Sequence, residues 1–493
     1  MAVGTRPAHT TPSSGTVKAG RVLVAVLMVV CFALRYYAAT TVPMPYDEAQ
    51  LVRLSERIVL TPGAVSLPVH VYPHRHLAGQ LYLGKLGTLL LGHNLVGFRF
   101  MSVVLGTASS WIIFALVRRA WGFWPALLSL VLLCFNGFHI GVSRFAIERT
   151  YLFFSVLGIY LFWRALQDDR PGFMIAAGAG LGAGALVSEH TLLLLPVLAA
   201  YLALSKSNRR WLARWQTWAG VLAAVAVCVP LVYMYLRNPD PQSSLYHDYG
   251  DHVERLGRFG LGYGSLALYI APLYYKLSDR ISVYPVMSLV SGALLLGAVL
   301  RAHFGAKDEL TRLLLVIFWA FVGGFSLFAS SRPEFKWAAT SMFATVPLAG
   351  RLLWESWVRS ALYGALSCLP LVCIAGFGIW VASASHNCYY SPLIRPAQER
   401  ITDQALKHGL YTVMWEDYNF ADLTGSPFFP ARYKEYYFHR YITYAYYYAS
   451  DDIKLARLLL ERAAQIHPDH PRVRHLMKLL GQRSDPRSLG EVR

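Results

Sequence analysis

Apolar segments of bilayer-spanning length recur in this chain from Val22 to about residue 384. The first, at about 22–41, holds no charge between Val22 and Leu34 and then a single Arg35. Others follow at about 98–117 and 123–140, in a segment ending at Arg164, at about 173–187, and after His190. The series closes at about 218–236, 284–301, 313–329, 337–350 and 361–384. Backbone in hydrocarbon must satisfy its own polar groups, so the expected fold is a polytopic α-helical membrane protein with about eleven transmembrane helices. Only 15% of the 493 residues are charged, against about 25% in soluble domains. The mean hydropathy of +0.38 agrees.

In a soluble chain the net charge of +18 would suggest nucleic acid. Here much of it sits in alternate links between spans, as expected of cytoplasmic loops facing anionic lipid. The expected surroundings are therefore a membrane, with no nucleic acid. One set of links carries Arg118-Arg119, Arg164 and Arg170, Lys206 to Arg214, Arg301, Lys307 and Arg312, then Arg351 and Arg359. The opposite turns are sparser, with Arg144 and Arg149 in one and Arg332 and Lys336 in another. Lys18 and Arg21 before the first span put the N-terminus in the cytoplasm of a cell membrane, inner or plasma. An odd number of spans then puts the C-terminus outside. A signal peptide cut near Ala38-Ala39 is the other reading of the first segment.

Four regions follow from composition. Residues 1–20, rich in Thr, Ser, Gly and Pro, read as a disordered cytoplasmic N-terminus. Residues 21–384 form the membrane domain, whose first outer loop, 42–97, is long enough for short surface helices. Within that loop Leu77–Leu91 reads as a helix carrying Lys85, stopped by Gly92-His93-Asn94. The short apolar stretch 261–275 reads as re-entrant or interfacial. Residues 385–480 read as a small, mainly α-helical extracytoplasmic domain, with a strand at Tyr411–Trp415. A helix over Ile442–His467 is stopped there by Pro468-Asp469-His470-Pro471. Its pattern resembles one tetratricopeptide repeat, and equally suits an ordinary helical hairpin. Residues 481–493 read as a disordered tail. Cys31, Cys134, Cys228, Cys368 and Cys373 lie in apolar runs and only Cys388 lies outside them, so neither a disulfide framework nor a zinc site is expected.

Chemistry is sought where charge gathers outside the spans. Tyr46-Asp47-Glu48-Ala49 places adjacent carboxylates just past the first one. Two readings stay open: a reactive acid at the membrane surface, or the acidic first turn of a helix over Ala49–Ile58. Other polar groups fall at the same ends of spans: Arg35, His74, Arg75, Lys85, Arg144, Glu148, Arg149, Glu189, His190, Arg332, Glu334 and Lys336. A lone charge at such a place is usually a snorkelling anchor. Acids and bases together suit a phosphate held by cations while a carboxylate takes a proton from a hydroxyl. Transport sites, by contrast, lie at the bilayer midplane, where this chain holds little charge.

Arg35 followed by Asp47-Glu48-Ala49 resembles the first-loop signature of the GT-C glycosyltransferases that use polyprenyl-phosphate sugars. Leu91-Gly92-His93-Asn94-Leu95-Val96-Gly97-Phe98-Arg99-Phe100-Met101-Ser102 is similar to the family's glycine-asparagine-to-arginine lead into the next span. Ser143-Arg144-Phe145-Ala146 resembles its second outer loop. The resemblance covers roughly residues 20–350 and takes in protein O-mannosyltransferases and lipid A aminoarabinose transferases. It implies inverting transfer of a sugar from a polyprenyl phosphate to a hydroxyl of a lipid, glycan or protein, on the extracytoplasmic face. Asp47, with Glu48 beside it, would be the catalytic acid pair. Arg144, Arg332, Lys336, Arg75 and Lys85 are the candidates for the donor phosphate, with Arg35, His74, Glu148, Glu189 and His190 lining the site. Many members have His-Pro-Pro late in the first loop, where this chain has Pro73-His74-Arg75-His76. No cofactor is required by this scheme, though Asp47 and Glu48 could hold a divalent metal. The other functions considered are an oligosaccharide polymerase or ligase, and a non-enzymatic transporter or assembly protein.

Overall fold

The computed structural model describes residues 14–41, 48, 51–52, 55, 60–61, 64–65, 78–146, 150–237, 276–277, 280–281, 289–305, 308–324, 339–383, 438, 441–442, 445, 449 and 453–483. Helix α1 (Ser14–Thr41) is followed by α2 (Ala78–Leu91), α3 (Leu95–Trp121), α4 (Phe123–Cys134), α5 (Gly137–Ser143) and α6 (Tyr151–Asp168). Next come α7 (Pro171–Ala185), α8 (Leu194–Leu204), α9 (Trp215–Arg237), α10 (Leu289–Phe304), α11 (Glu309–Trp319), α12 (Met342–Arg359) and α13 (Ala361–Ser383). Two helices close the described chain, α14 (Ile453–Ile466) and α15 (Pro471–Arg483). Residues 60–61 pair with 64–65, and 276–277 with 280–281, as two minimal antiparallel ladders.

Among the described residues, α1 from Ala19, α3 and α13 to Ala382 are each long and apolar enough to cross a membrane. Helices α4 and α5 make a fourth crossing if their 61° bend is read as a broken span. Shorter apolar helices run over Pro171–Ala185, His190–Leu204, Trp215–Pro230 and Val290–Phe304. On α1 one face buries Cys31, Arg35, Ala38 and Ala39, while Val22, Val26 and Val29 stay exposed, as a lipid-facing surface requires.

Small residues bring some of these helices into backbone contact. A Cβ on Gly178 of α7 would lie 1.8 Å from the Gly220 carbonyl oxygen of α9, so only hydrogen fits there. A Cβ on Gly87 of α2 would likewise lie 2.2 Å from the Gly97 carbonyl oxygen of α3, and one on Gly97 2.2 Å from that of Gly92. The turn between α2 and α3 is the one the sequence predicts. Gly92 takes φ +93, and the Asn94 side chain accepts from the Gly97 amide at 2.9 Å to cap α3.

The two ends of the bundle differ chemically. At one end Asp168 binds Arg164 at 2.6 Å and also Arg119, and Asp169 binds Arg214 at 2.5 Å. That hydrogen bond holds the exposed Asp169 carboxyl below its ordinary value. Asp308 there accepts from Trp121 at 3.1 Å and from Arg351. This is the end carrying the basic links. At the other end lie Thr41, whose hydroxyl reaches the Ala382 carbonyl at 3.4 Å, and Gly79, whose amide donates to the Leu186 carbonyl at 2.8 Å.

Two boundaries differ from expectation. Helix α1 begins at Ser14, inside the segment expected to be disordered, because Val17 to Val22 holds no helix breaker stronger than Gly20. Helix α15 runs to Arg483, past the expected limit at 480, carried by a buried face of Val473, Leu476 and Leu480. The stop at 468–471 holds, with Pro471 opening α15. The 261–275 stretch, the Tyr411–Trp415 strand and Cys388 lie outside the described residues. The five described cysteines are free.

Candidate active site

Glu48 is the described half of the acidic pair. With Leu51, Val52 and Ser55 it is helical and buried, at the i, i+3, i+4, i+7 spacing of one helix face. Its carboxylate is wholly enclosed and fully used. Arg99 Nε donates to Oε1 at 2.9 Å, Arg99 Nη2 donates to Oε2 at 2.5 Å, and the Ala146 amide donates to Oε1 at 2.7 Å. Arg99 Nη1 donates onward to the Ala39 carbonyl at 2.7 Å. One charge pair thus ties the first loop to the ends of α1 and α3 and to the residue after Phe145. A buried pair of opposite sign, each lone pair answered, is the form in which such charges are tolerated.

The guanidiniums of Arg99 and Arg144 both lie over the Phe145 ring, at 5.2 and 5.0 Å from its centroid. Arg144 is only 3% exposed, and its Nη1 donates to the Val381 carbonyl at 3.2 Å. The sequence places it in an outer turn as a phosphate candidate, and the structure encloses its side chain. Its geometry fastens the end of α5 to the end of α13.

Arg35, on α1, lies wholly buried inside the bundle. Where α4 breaks before α5, the carbonyls of Leu133 and Cys134 lose their helical partners. Arg35 supplies them, at 3.0 Å from Nη2 and 3.3 Å from Nη1. Its Nη2 also meets His139 Nδ1 at 2.6 Å. A guanidinium only donates, so Nδ1 accepts and the His139 proton sits on Nε2. Asn136 completes the break by accepting from the His139 amide at 2.9 Å.

Further polar groups collect at the same end. Gln80 of α2 accepts from Thr150 Oγ1. His190 is buried, with Nδ1 2.6 Å from Ser188 Oγ and its ring tilted against Tyr151. Lys85 is half-buried on α2. A cavity of about 10 Å³ between Ser102, Gly106, His139, Ser143 and Thr150 has room for a single water. Asp47, His74, Arg75, Glu148, Arg332 and Lys336 lie outside the described residues, and of Glu189 only the backbone, in the 3₁₀ turn Glu189–Leu193, is described. Sequence reading quoted Arg99 within a motif but not as a site residue. The signal was present, since a cation among apolar neighbours near a span end needs a partner.

One apolar cluster covers this end. It joins Leu51, Val52, Leu81, Leu95, Phe98, Phe145 and Ala146 to Phe438, Tyr441, Ile442 and Ala445, and through them to α14 and α15. The C-terminal helices therefore share a core with the loop that carries Glu48.

Residues 79–234 match the family model described as dolichyl-phosphate-mannose-protein mannosyltransferase. A curated relative is the undecaprenyl phosphate-alpha-4-amino-4-deoxy-L-arabinose arabinosyl transferase of Pseudomonas aeruginosa strain UCBPP-PA14. It is 29% identical over 204 residues, covering 37% of this chain and 35% of the relative. A second such transferase, from Pseudomonas fluorescens Pf0-1, is 25% identical over 245 residues, covering 47% of this chain and 42% of its own length. The chain thus spans less than half the length of these relatives. Among solved structures, ArnT from Cupriavidus metallidurans bound to undecaprenyl phosphate aligns with a TM-score of 0.54 at 15% identity, covering 97% of this chain and 79% of ArnT. Its apo form aligns with a TM-score of 0.51. At that identity the likeness concerns the fold, that of a polytopic α-helical membrane protein. A segment of the chain is thus similar to that mannosyltransferase family model, and its fold is similar to that of ArnT.

Proposed function

We propose that this protein moves a sugar from a polyprenyl-phosphate donor to an acceptor hydroxyl of a lipid, glycan or protein, with inversion, at the extracytoplasmic face. The observation that carries the reading is the anchoring of Glu48 by Arg99 and the Ala146 amide. Asp47 is joined to Glu48 by one peptide bond, so the anchor limits where Asp47 can go. The likeness of the fold to that of ArnT supports the same reading.

In this reading the roles of the acidic pair divide. Asp47 accepts the proton of the attacking hydroxyl, and Glu48 positions it. Inversion in one step needs a single base, with cations to neutralise the charge that develops on the leaving phosphate. Lys85, Arg75, Arg332 and Lys336 are the candidates for that task, ahead of the enclosed Arg144. The scheme requires no divalent ion, and an ion seeking both carboxylates would have to displace Arg99 from Glu48. About eleven spans, a cytoplasmic N-terminus and an extracytoplasmic C-terminal domain complete the topology. The apolar cluster shared by α14, α15 and the Glu48 loop supports that placement of the tail.

The test is incubation of purified protein with a panel of polyprenyl-phosphate sugars and candidate acceptors. One donor should be consumed, with release of polyprenyl phosphate and a product of inverted anomeric configuration. If no donor is consumed with any acceptor, the reading fails.

A further inference from the structure

The hairpin of α14 and α15 presents a basic surface on the side away from its core. The buried face of α15 is Val473, Leu476 and Leu480, and that of α14 is Ala456, Leu459, Leu460 and Ala463. Both faces belong to the cluster that includes Leu51, Phe98 and Phe145. On the opposite faces, Lys454, Arg457, Arg474 and Lys478 are exposed, together with Arg472 and His475. Only Glu461 and Asp469 are exposed acids among the described residues of the hairpin. Lys454, Arg457, Arg474 and Lys478 form no ion pair with a described acid. Arg474 and Lys478 are four residues apart and so share a face of α15. Leu479, 40% exposed, lies about a quarter-turn round the helix from Lys478, at the border with the buried face.

A solvated domain surface of this size ordinarily mixes both signs of charge. Exposed cations with no described acid as partner suit instead an anionic lipid surface, which offers phosphate charge over the whole face. The location suits that partner, because the hairpin shares its core with a loop that directly follows the first span. We propose that the basic face of α14 and α15, centred on Arg474 and Lys478, docks on anionic phospholipid headgroups of the adjacent leaflet. The hairpin would thereby be held against the membrane beside the Glu48 loop. Sugar transfer plays no part in this contact, so it can be tested whatever becomes of the proposed activity.

The full-length protein is placed in nanodiscs of purely zwitterionic phosphatidylcholine and in others containing phosphatidylglycerol. Hydrogen exchange is then followed in the Pro471–Arg483 amides. Exchange should be slower by roughly fivefold or more in the anionic discs. The difference should vanish at high salt, because screening acts over a few ångströms there. It should vanish also in the double variant Arg474→Glu/Lys478→Glu, whose sites are exposed and outside the core. Equal exchange in the two lipids would overturn the proposal and would fit a soluble acidic partner instead. Protection that survives the charge reversal would overturn it as well.

Discussion

The guanidinium of Arg99 and the carboxylate of Glu48 meet in a bidentate pair from which solvent is wholly excluded, both side chains being 0% exposed. The contact ties Glu48 to the membrane helices, because the partner cation sits on α3 and the third donor is the backbone of Ala146.

Breaking such a pair from one side leaves an uncompensated buried charge. Arg99→Met and Glu48→Leu should each destabilise the protein by about 3–5 kcal/mol. The double variant should melt closer to wild type than either single one, since two apolar groups of similar volume need no partner. Thermal unfolding of the four proteins in one detergent checks this. Strict additivity of the two losses would show that the pair is not coupled.

Arg35 answers carbonyls freed by the break between α4 and α5. Arg35→Met should leave those acceptors and His139 without their donor, at a cost of about 1–3 kcal/mol for each group. Melting temperature should fall, and any loss of transfer should track the loss of folded protein. A stable Arg35→Met protein that is selectively inactive would instead make Arg35 a residue that touches substrate.

What the sequence could show, and what it could not, divides along the same lines. The helices, the Gly92–Asn94 turn and the separation of basic links from sparse turns follow from composition and local chemistry, which act within a few residues. Arg35 meets Cys31 one turn away, but its other partners lie about a hundred positions off, at Leu133, Cys134 and His139. No local pattern announces a helix break that a distant cation must satisfy. Arg144 shows the same limit, since its enclosure depends on the end of α13. Glu48 was legible as part of an acidic pair, but the proposed division of labour with Asp47 rests on Arg99 facing Glu48.

Gly178 and Gly220 bring α7 and α9 into backbone contact. Gly178→Ala inserts a methyl where the neighbouring carbonyl already sits, so the helices must part. Overpacking of this kind costs about 1–3 kcal/mol. Gly180→Ala, on the same helix with nothing nearer than 3.8 Å, should cost far less. Comparing the melting of the two variants isolates the contact from helix propensity, which changes equally in both.

The proposed topology can be read chemically through Cys388, the one cysteine outside the apolar runs. A membrane-impermeant maleimide should label it in intact spheroplasts, and Cys388→Ser should abolish the signal. Labelling only after the membrane is broken would place the tail, and the Glu48 loop that shares its apolar cluster, on the cytoplasmic side.

Asp47 and Glu48 are adjacent carboxylates whose replacement should have opposite signatures. Asp47→Asn keeps the shape and removes the proton acceptor, so turnover should fall by about 10²–10⁴-fold. Folding and donor binding should survive, because the Glu48–Arg99 pair is untouched. Glu48→Gln leaves Arg99 without its counter-charge inside the protein, so the first effect should be a lower melting temperature. Residual activity per folded molecule should then exceed that of Asp47→Asn. The comparison requires turnover at matched folded protein, with the melt recorded for both variants. An Asp47→Asn enzyme that transfers sugar at near wild-type rate would remove Asp47 from the chemistry and make Glu148 or Glu189 the next carboxylate to test.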